Sequence, residues 1–311
     1  MVQTIEKSKE IAERYIVPPG LLYALEGALA LGQPLLLTGE PGTGKTTLAN
    51  WAVHYLNQKY NNSFHEVPLQ FNTKTTSRAT DLFYSYDALS HFQAANLRGN
   101  QKQDPSEFIE LQALGKAIAM SNPKKEYAAK FRFVMPEKAV GSVVLIDEVD
   151  KAPRDFTNDI LDEIENLRFE IREQDNYPLA KGEDARIVVI MTSNSEKNLP
   201  EAFLRRCAFY HIEFPQGDKL REIVSRHLGS ATPETATAYD ELFQFFHDIR
   251  NTAVRKKPAT AELIAWMKLL GLSGYMTEKN SGKKKELLLQ NLSFLVKTQE
   301  DLEAARKLIH G

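Results

Sequence analysis

The chain is predicted to be an α/β protein: a three-layer αβα domain around a parallel sheet to about residue 215, then a smaller all-helical domain over 216–311. Two features of the sequence carry this. Through the first two thirds, short apolar runs alternate with segments of helical period, as in a sheet covered by helices on both faces. After Phe214 only the helical period remains. With 311 residues and 42% hydrophobic side chains, the chain has enough apolar material for two cores.

The first run, Pro34–Thr38 (PLLLT), is read as a strand, and Lys45–Tyr60 after it as a helix with Leu48, Trp51, Ala52, Tyr55 and Leu56 on one face. Ser142–Ile146 (SVVLI) is the second strand, followed by a helix over Asp155–Asn166 whose Phe156, Ile160, Leu161 and Ile164 align. Ile187–Thr192 (IVVIMT) and Ala208–Phe214 (AFYHIEF) complete the set. Three of the four runs are apolar without alternation, as expected of strands buried on both faces. Pro215-Gln216-Gly217 reads as a linker. Beyond it, one helical face carries Leu220, Ile223, Val224 and His227, and the next carries Tyr239, Leu242, Phe243, Phe246 and Ile249. Leu263, Ile264, Met267 and Leu270 mark a third helix, and Leu287 to Val296 a fourth.

Composition narrows the function. Lys plus Arg is 39 and Asp plus Glu is 41, a net charge of −2, which excludes a globally basic nucleic-acid binder. A single cysteine, Cys207, excludes an intrachain disulfide and a cysteine-rich zinc site. Leu21 to Leu37 is interrupted by Glu26, Gln33 and Pro34 and falls short of the ~20 residues of a membrane-spanning helix. Met1 to Glu10 is polar and has no apolar signal core. A cytoplasmic protein without membrane insertion is expected.

One motif stands between the first strand and its helix. Gly39-Glu40-Pro41-Gly42-Thr43-Gly44-Lys45-Thr46 satisfies G-x-x-x-x-G-K-[ST], and Thr47 follows. Glycines let such a loop turn successive N–H groups toward phosphate oxygens, and the helix N-terminus adds partial positive charge. Lys45 is expected to reach the β- and γ-phosphates, and the Thr46 hydroxyl to ligate Mg²⁺. The second strand ends in Asp147-Glu148. Beside a phosphate loop, Asp147 is expected to hold the metal and Glu148 to polarise the water that attacks the γ-phosphate. The third strand ends in Thr192-Ser193-Asn194, where an amide can bond that water or a γ-phosphate oxygen. Leu199 to Arg206 reads as a short helix ending in two guanidinium groups, Arg205 and Arg206. No N-K-x-D sequence is present to read guanine, so ATP is the expected nucleotide.

In order along the chain, LLLTGEPGTGKTT, VVLIDEVDKAP, VVIMTSN and LPEAFLRRC resemble the AAA+ ATPases, and within them the MoxR-type subfamily. The resemblance implies that Gly39 to Thr46 is a Walker A loop, Asp147 and Glu148 a Walker B pair, and Asn194 the sensor 1 residue. It implies an arginine finger at Arg206, with Arg205 as the alternative. The helical segment after 216 looks like the family's lid. From Lys45 to Asp147 the chain runs 102 residues, too many for one helix, strand and helix. The resemblance implies a helix-2 insert near 74–140 and a hairpin before sensor 1 near 169–190, formed by Phe169–Arg172 and Ala185–Ile190. Within the insert, Tyr84, Tyr86 and Phe92 either pack it onto the body or face a client. The sequence departs from the family at sensor 2: Ala259 follows Pro258 where an arginine is often found, leaving Arg255 or Lys256 nearby.

The function implied is an ATPase acting as a homo-oligomeric, hexameric ring with ATP and Mg²⁺ as cofactors, which remodels or matures a protein client with a von Willebrand factor A-domain partner. The alternatives are a nucleic-acid-stimulated motor or loader and a non-catalytic, nucleotide-gated scaffold.

Overall fold

The computed structural model describes residues 2–97, 104–124, 126–131, 133–195, 199–253 and 255–310. Two compact units emerge: Met1–Gly39 with Gly44–Ile212, and Glu40–Thr43 with Glu213–Gly311.

In the first unit, helices α1 (Val2–Arg14) and α2 (Pro19–Leu31) precede strand β1 (Leu35–Gly39), and α3 (Thr47–Lys59) leads to β2 (Leu69–Asn72). Next come β3 (Tyr84–Tyr86), α4 (Ala88–Leu97), β4 (Ile109–Leu111), α5 (Ala113–Ser121) and the short α6 (Tyr127–Lys130). The chain then passes through β5 (Ser142–Asp147), α7 (Arg154–Asn166), β6 (Arg168–Ile171), β7 (Tyr177–Ala180), β8 (Ile187–Thr192), α8 (Glu201–Leu204) and β9 (Ala208–Ile212). The main sheet has the order β2-β5-β8-β1-β9, with every described pairing parallel. This is the three-layer parallel-sheet fold that the apolar runs predict.

Alternation along the strands produces two cores. Leu35 and Leu37, Val143 and Leu145, and Val188 and Ile190 point to one face, against Leu21 and Leu25 of α2 and Leu48, Ala52 and Leu56 of α3. Leu36, Val144, Ile146, Val189 and Met191 point to the other, against Leu114 and Ile118 of α5 and Phe156 and Ile160 of α7. Burial on both faces is why β1, β5 and β8 read as unbroken apolar runs. The edge strands β2 and β9 instead alternate half-buried and exposed positions.

One expectation needs correction. The second arm of the hairpin is Tyr177–Ala180, antiparallel to Arg168–Ile171, and not Ala185–Ile190. Ile187–Ile190 is drawn into the main sheet because its apolar side chains are covered on both faces there. The segment near 74–140 is partly built onto the main sheet. Its helix α5 lies on the sheet, with Leu114, Ala117 and Ile118 fully buried. Tyr84 packs inward and stacks on Phe169, Tyr86 is half-buried, and Phe92 is exposed. Residues 98–103, 125 and 132 of that segment lie outside the described residues.

The second unit contains helices α9 (Gly217–Leu228), α10 (Ala236–Thr252), α11 (Thr260–Leu272), α12 (Ser281–Leu295) and α13 (Gln299–His310) around Leu242, Phe246, Leu263, Trp266 and Leu292. Asp301, 1% exposed, accepts the backbone N–H groups of Arg255 and Lys256 and the Thr298 hydroxyl. Among the described residues, no helix is long and apolar enough to cross a membrane.

Candidate nucleotide-binding site

In a parallel sheet every strand ends at the same edge. Here β1 lies between β8 and β9, although the chain leaves β1 for the far strand β2. Such a change of direction opens a crevice at the strands' carboxyl ends. Gly39, Asp147 and Thr192, the last residues of β1, β5 and β8, all lie on that edge.

The loop from Gly39 turns into α3 through two left-handed glycines, Gly42 (φ +76°) and Gly44 (φ +88°). Gly44 is doubly constrained, because a Cβ there would meet the ring of Tyr15 at 2.7 Å. Lys45 is 8% exposed and its Nζ donates to the Gly39 carbonyl at 2.7 Å. Burial holds its pKa below the usual lysine value, opposed by the carboxylates of Asp147, Asp150 and Glu148. The Thr46 hydroxyl donates to the two Asp147 carboxylate oxygens at 3.1 and 3.3 Å. Folding therefore joins the loop to an acid 101 positions away. Thr47, half-buried, is the first residue of α3.

Within the second unit, the Thr43 hydroxyl donates to the Glu40 carbonyl at 2.9 Å, and the Glu40 carboxylate accepts from Arg250 at 2.8 Å. The Arg250 guanidinium also lies 3.5 Å from the centre of the Phe214 ring and donates to the Pro258 carbonyl. Nothing in the sequence pattern marks Arg250, which belongs to an amphipathic helix. Arg255, considered for sensor 2, instead pairs with Glu300 at 2.7 Å.

At the acidic strand end, Glu148 takes a left-handed conformation (φ +57°, ψ +51°). Its side chain pairs with Lys151 at 2.5 Å, and this carboxylate raises the lysine pKa. Thr192, 1% exposed, is a contact that sequence reasoning missed: its hydroxyl donates to Asp147 and accepts the Glu148 N–H at 2.9 Å. The parallel register signals it in retrospect, since Ile146 pairs with Met191 and the following residues are neighbours. Asn194 is exposed, and its backbone N–H lies 3.4 Å from an Asp150 carboxylate oxygen. Arg205 pairs with Glu201, while Arg206 donates to the Ala202 carbonyl at 3.2 Å and lies 3.6 Å from Glu165. Both guanidiniums are on the surface, 76% and 51% exposed.

The donor set fits a magnesium nucleotide. One hydroxyl and one carboxylate are hard oxygen ligands, and Mg²⁺ is commonly held by one or two such groups with phosphates and water completing its shell. The start of a thirteen-residue helix and a buried ammonium supply complementary charge for a polyphosphate.

No curated protein matches the chain. The family model described as AAA domain (dynein-related subfamily) matches residues 34–207. That span begins one residue before β1 and takes in the loop, the acidic strand end, Thr192, Asn194 and both arginines. Covering more than half of the chain, the match identifies the protein as a member of the AAA domain family, dynein-related subfamily, whose members are in general P-loop ATPases.

Proposed function

We propose that the protein binds Mg·ATP and hydrolyses it, and that it does so as a MoxR-type ring that remodels or matures a protein client. The observation carrying this reading is the meeting of Lys45, Thr46, Asp147 and Glu148 at one sheet edge. Thr46 and Asp147 hold the metal, and Lys45 draws charge from the β- and γ-phosphate oxygens. Mg²⁺ held there would supply charge neutralisation as the bond from the γ-phosphorus to the leaving ADP breaks. Glu148 takes a proton from the attacking water as its oxygen joins the γ-phosphorus, which requires its carboxylate to leave Lys151. Asn194, exposed beside this edge, orients the water or the γ-phosphate.

Arg206 and Arg205 support the ring reading. On this reading an exposed guanidinium at a helix end serves another protomer's nucleotide, a contribution worth ~10³–10⁵ in rate in characterised cases. Client specificity then comes from a separate protein, for which a von Willebrand factor A-domain partner is the proposal. Mixing Lys45→Ala and Arg206→Ala proteins is the test. Each alone should be inactive, and mixtures should recover turnover because one interface regains both groups. No recovery at any ratio refutes the shared-site geometry.

A further inference from the structure

We infer that Thr192 is a positioning residue that sets the metal-holding and water-activating carboxylates together. This rests on the ATPase reading above. One hydroxyl serves both: its proton goes to Asp147, and its lone pair receives the Glu148 backbone N–H at 2.9 Å. The two acids are consecutive, so this single oxygen orients one carboxylate and secures the other's backbone. Glu148 needs that anchor because it occupies the left-handed region, which a residue with a Cβ seldom adopts without support.

The hydroxyl is itself held in place. Thr192 pairs in register with Leu37 of β1, and Ser193 donates its N–H to the Leu37 carbonyl at 2.9 Å. At 1% exposure, water has no ready access to replace either bond. Asp147 meanwhile accepts from Thr46 on its loop side. The result is a chain of contacts, Thr46 to Asp147 to Thr192 to the Glu148 N–H, that joins the phosphate loop to the catalytic glutamate. Breaking it at Thr192 loosens the acid that holds the metal while leaving the loop's own phosphate contacts intact.

The test is Thr192→Val, which keeps the shape and removes the hydroxyl, with Thr192→Ser as the conservative variant. The principal readout is equilibrium binding of a fluorescent ATP analogue, titrated with Mg²⁺ and repeated in EDTA. Groups supporting a metal ligand typically carry about 10- to 100-fold in metal affinity or activity. Thr192→Val should therefore need about 10-fold or more Mg²⁺ for half-maximal metal-dependent binding. Its metal-free binding should stay at the wild-type value, and Thr192→Ser should restore the midpoint. A wild-type Mg²⁺ midpoint in folded Thr192→Val overturns the inference, as does equal weakening with and without metal. Should Thr192→Val fail to fold, Thr192→Ala is judged on the same two titrations. A wild-type protein that neither binds nor hydrolyses ATP would instead overturn the ATPase reading, a distinct outcome.

Discussion

Replacing Lys45 with methionine should separate the stability of the empty protein from its response to nucleotide. In the structure Lys45 is 8% exposed, donates to the Gly39 carbonyl at 2.7 Å, and has its pKa lowered, chiefly by burial. A lowered lysine pKa means that the fold disfavours the charged form despite Asp147, Asp150 and Glu148 nearby. Methionine conserves the length of the side chain and removes that charge, so the empty variant should melt at or above the wild-type temperature. The sign fixes a pH dependence as well. Wild type should gain on the variant as pH rises from the lowered pKa toward 10.5, where the charge is shed. With nucleotide the order reverses. A unit charge about 4 Å from a phosphate oxygen is worth ~4 kcal/mol at an effective dielectric of 20, or ~10³ in affinity. At 100 times its dissociation constant a ligand stabilises by ~2.7 kcal/mol, which is about 5–10 °C for a unit of this size. Thermal melts with and without Mg·ATP should show that shift in wild type and none in Lys45→Met. An undiminished shift in the variant, or an empty variant melting well below wild type, refutes the reasoning.

Two further outcomes follow from other buried groups. Burial raises the Glu163 carboxyl pKa, and one of its buried oxygens has no hydrogen-bond partner. Stability from this group is full below the ordinary carboxylate pKa and is lost as pH climbs through the raised value. Glu163→Gln should therefore raise the melting temperature at pH 8 and do less at pH 4. A larger gain at pH 4 would contradict the assignment. Burial also pushes the Cys207 thiol up to about 12, with its Sγ–H directed at the Phe203 carbonyl 3.2 Å away. Iodoacetamide at pH 8 should label the native protein on the order of 10³-fold more slowly than the unfolded chain, because so little thiolate is present. Equal rates, read by mass spectrometry, would contradict the burial.

The parts legible in the sequence are those where local pattern and tertiary environment agree. Strands β1, β5 and β8 carry unbroken apolar stretches because the sheet is covered on both faces, and the glycine loop declares itself by spacing. Edge strand β2, Leu69-Gln70-Phe71-Asn72, is four residues of alternation and too short to stand out. The hairpin arm Tyr177–Ala180 was hidden because Pro178 interrupts its strand pattern, whereas the more apolar Ile187–Ile190 suits a buried strand better. Within the site, motif spacing named residues that register alone could not, and residues placed by register were missed. Thr192 is a threonine ending an apolar strand, and only the pairing of Ile146 with Met191 sets it against Asp147. Arg250 is one polar position on a helix until the fold brings it to Glu40.

The most direct measurement is on Glu148→Gln: equilibrium ATP binding in Mg²⁺, followed by phosphate release on the same sample. Lys45 donates to the Gly39 carbonyl and Thr46 to Asp147, contacts the substitution leaves in place, so nucleotide affinity should remain at the wild-type level. Release should fall ~10²–10⁴-fold, the usual worth of a positioned general base. Retained turnover with retained binding would contradict the assignment of Glu148 as the group that activates water.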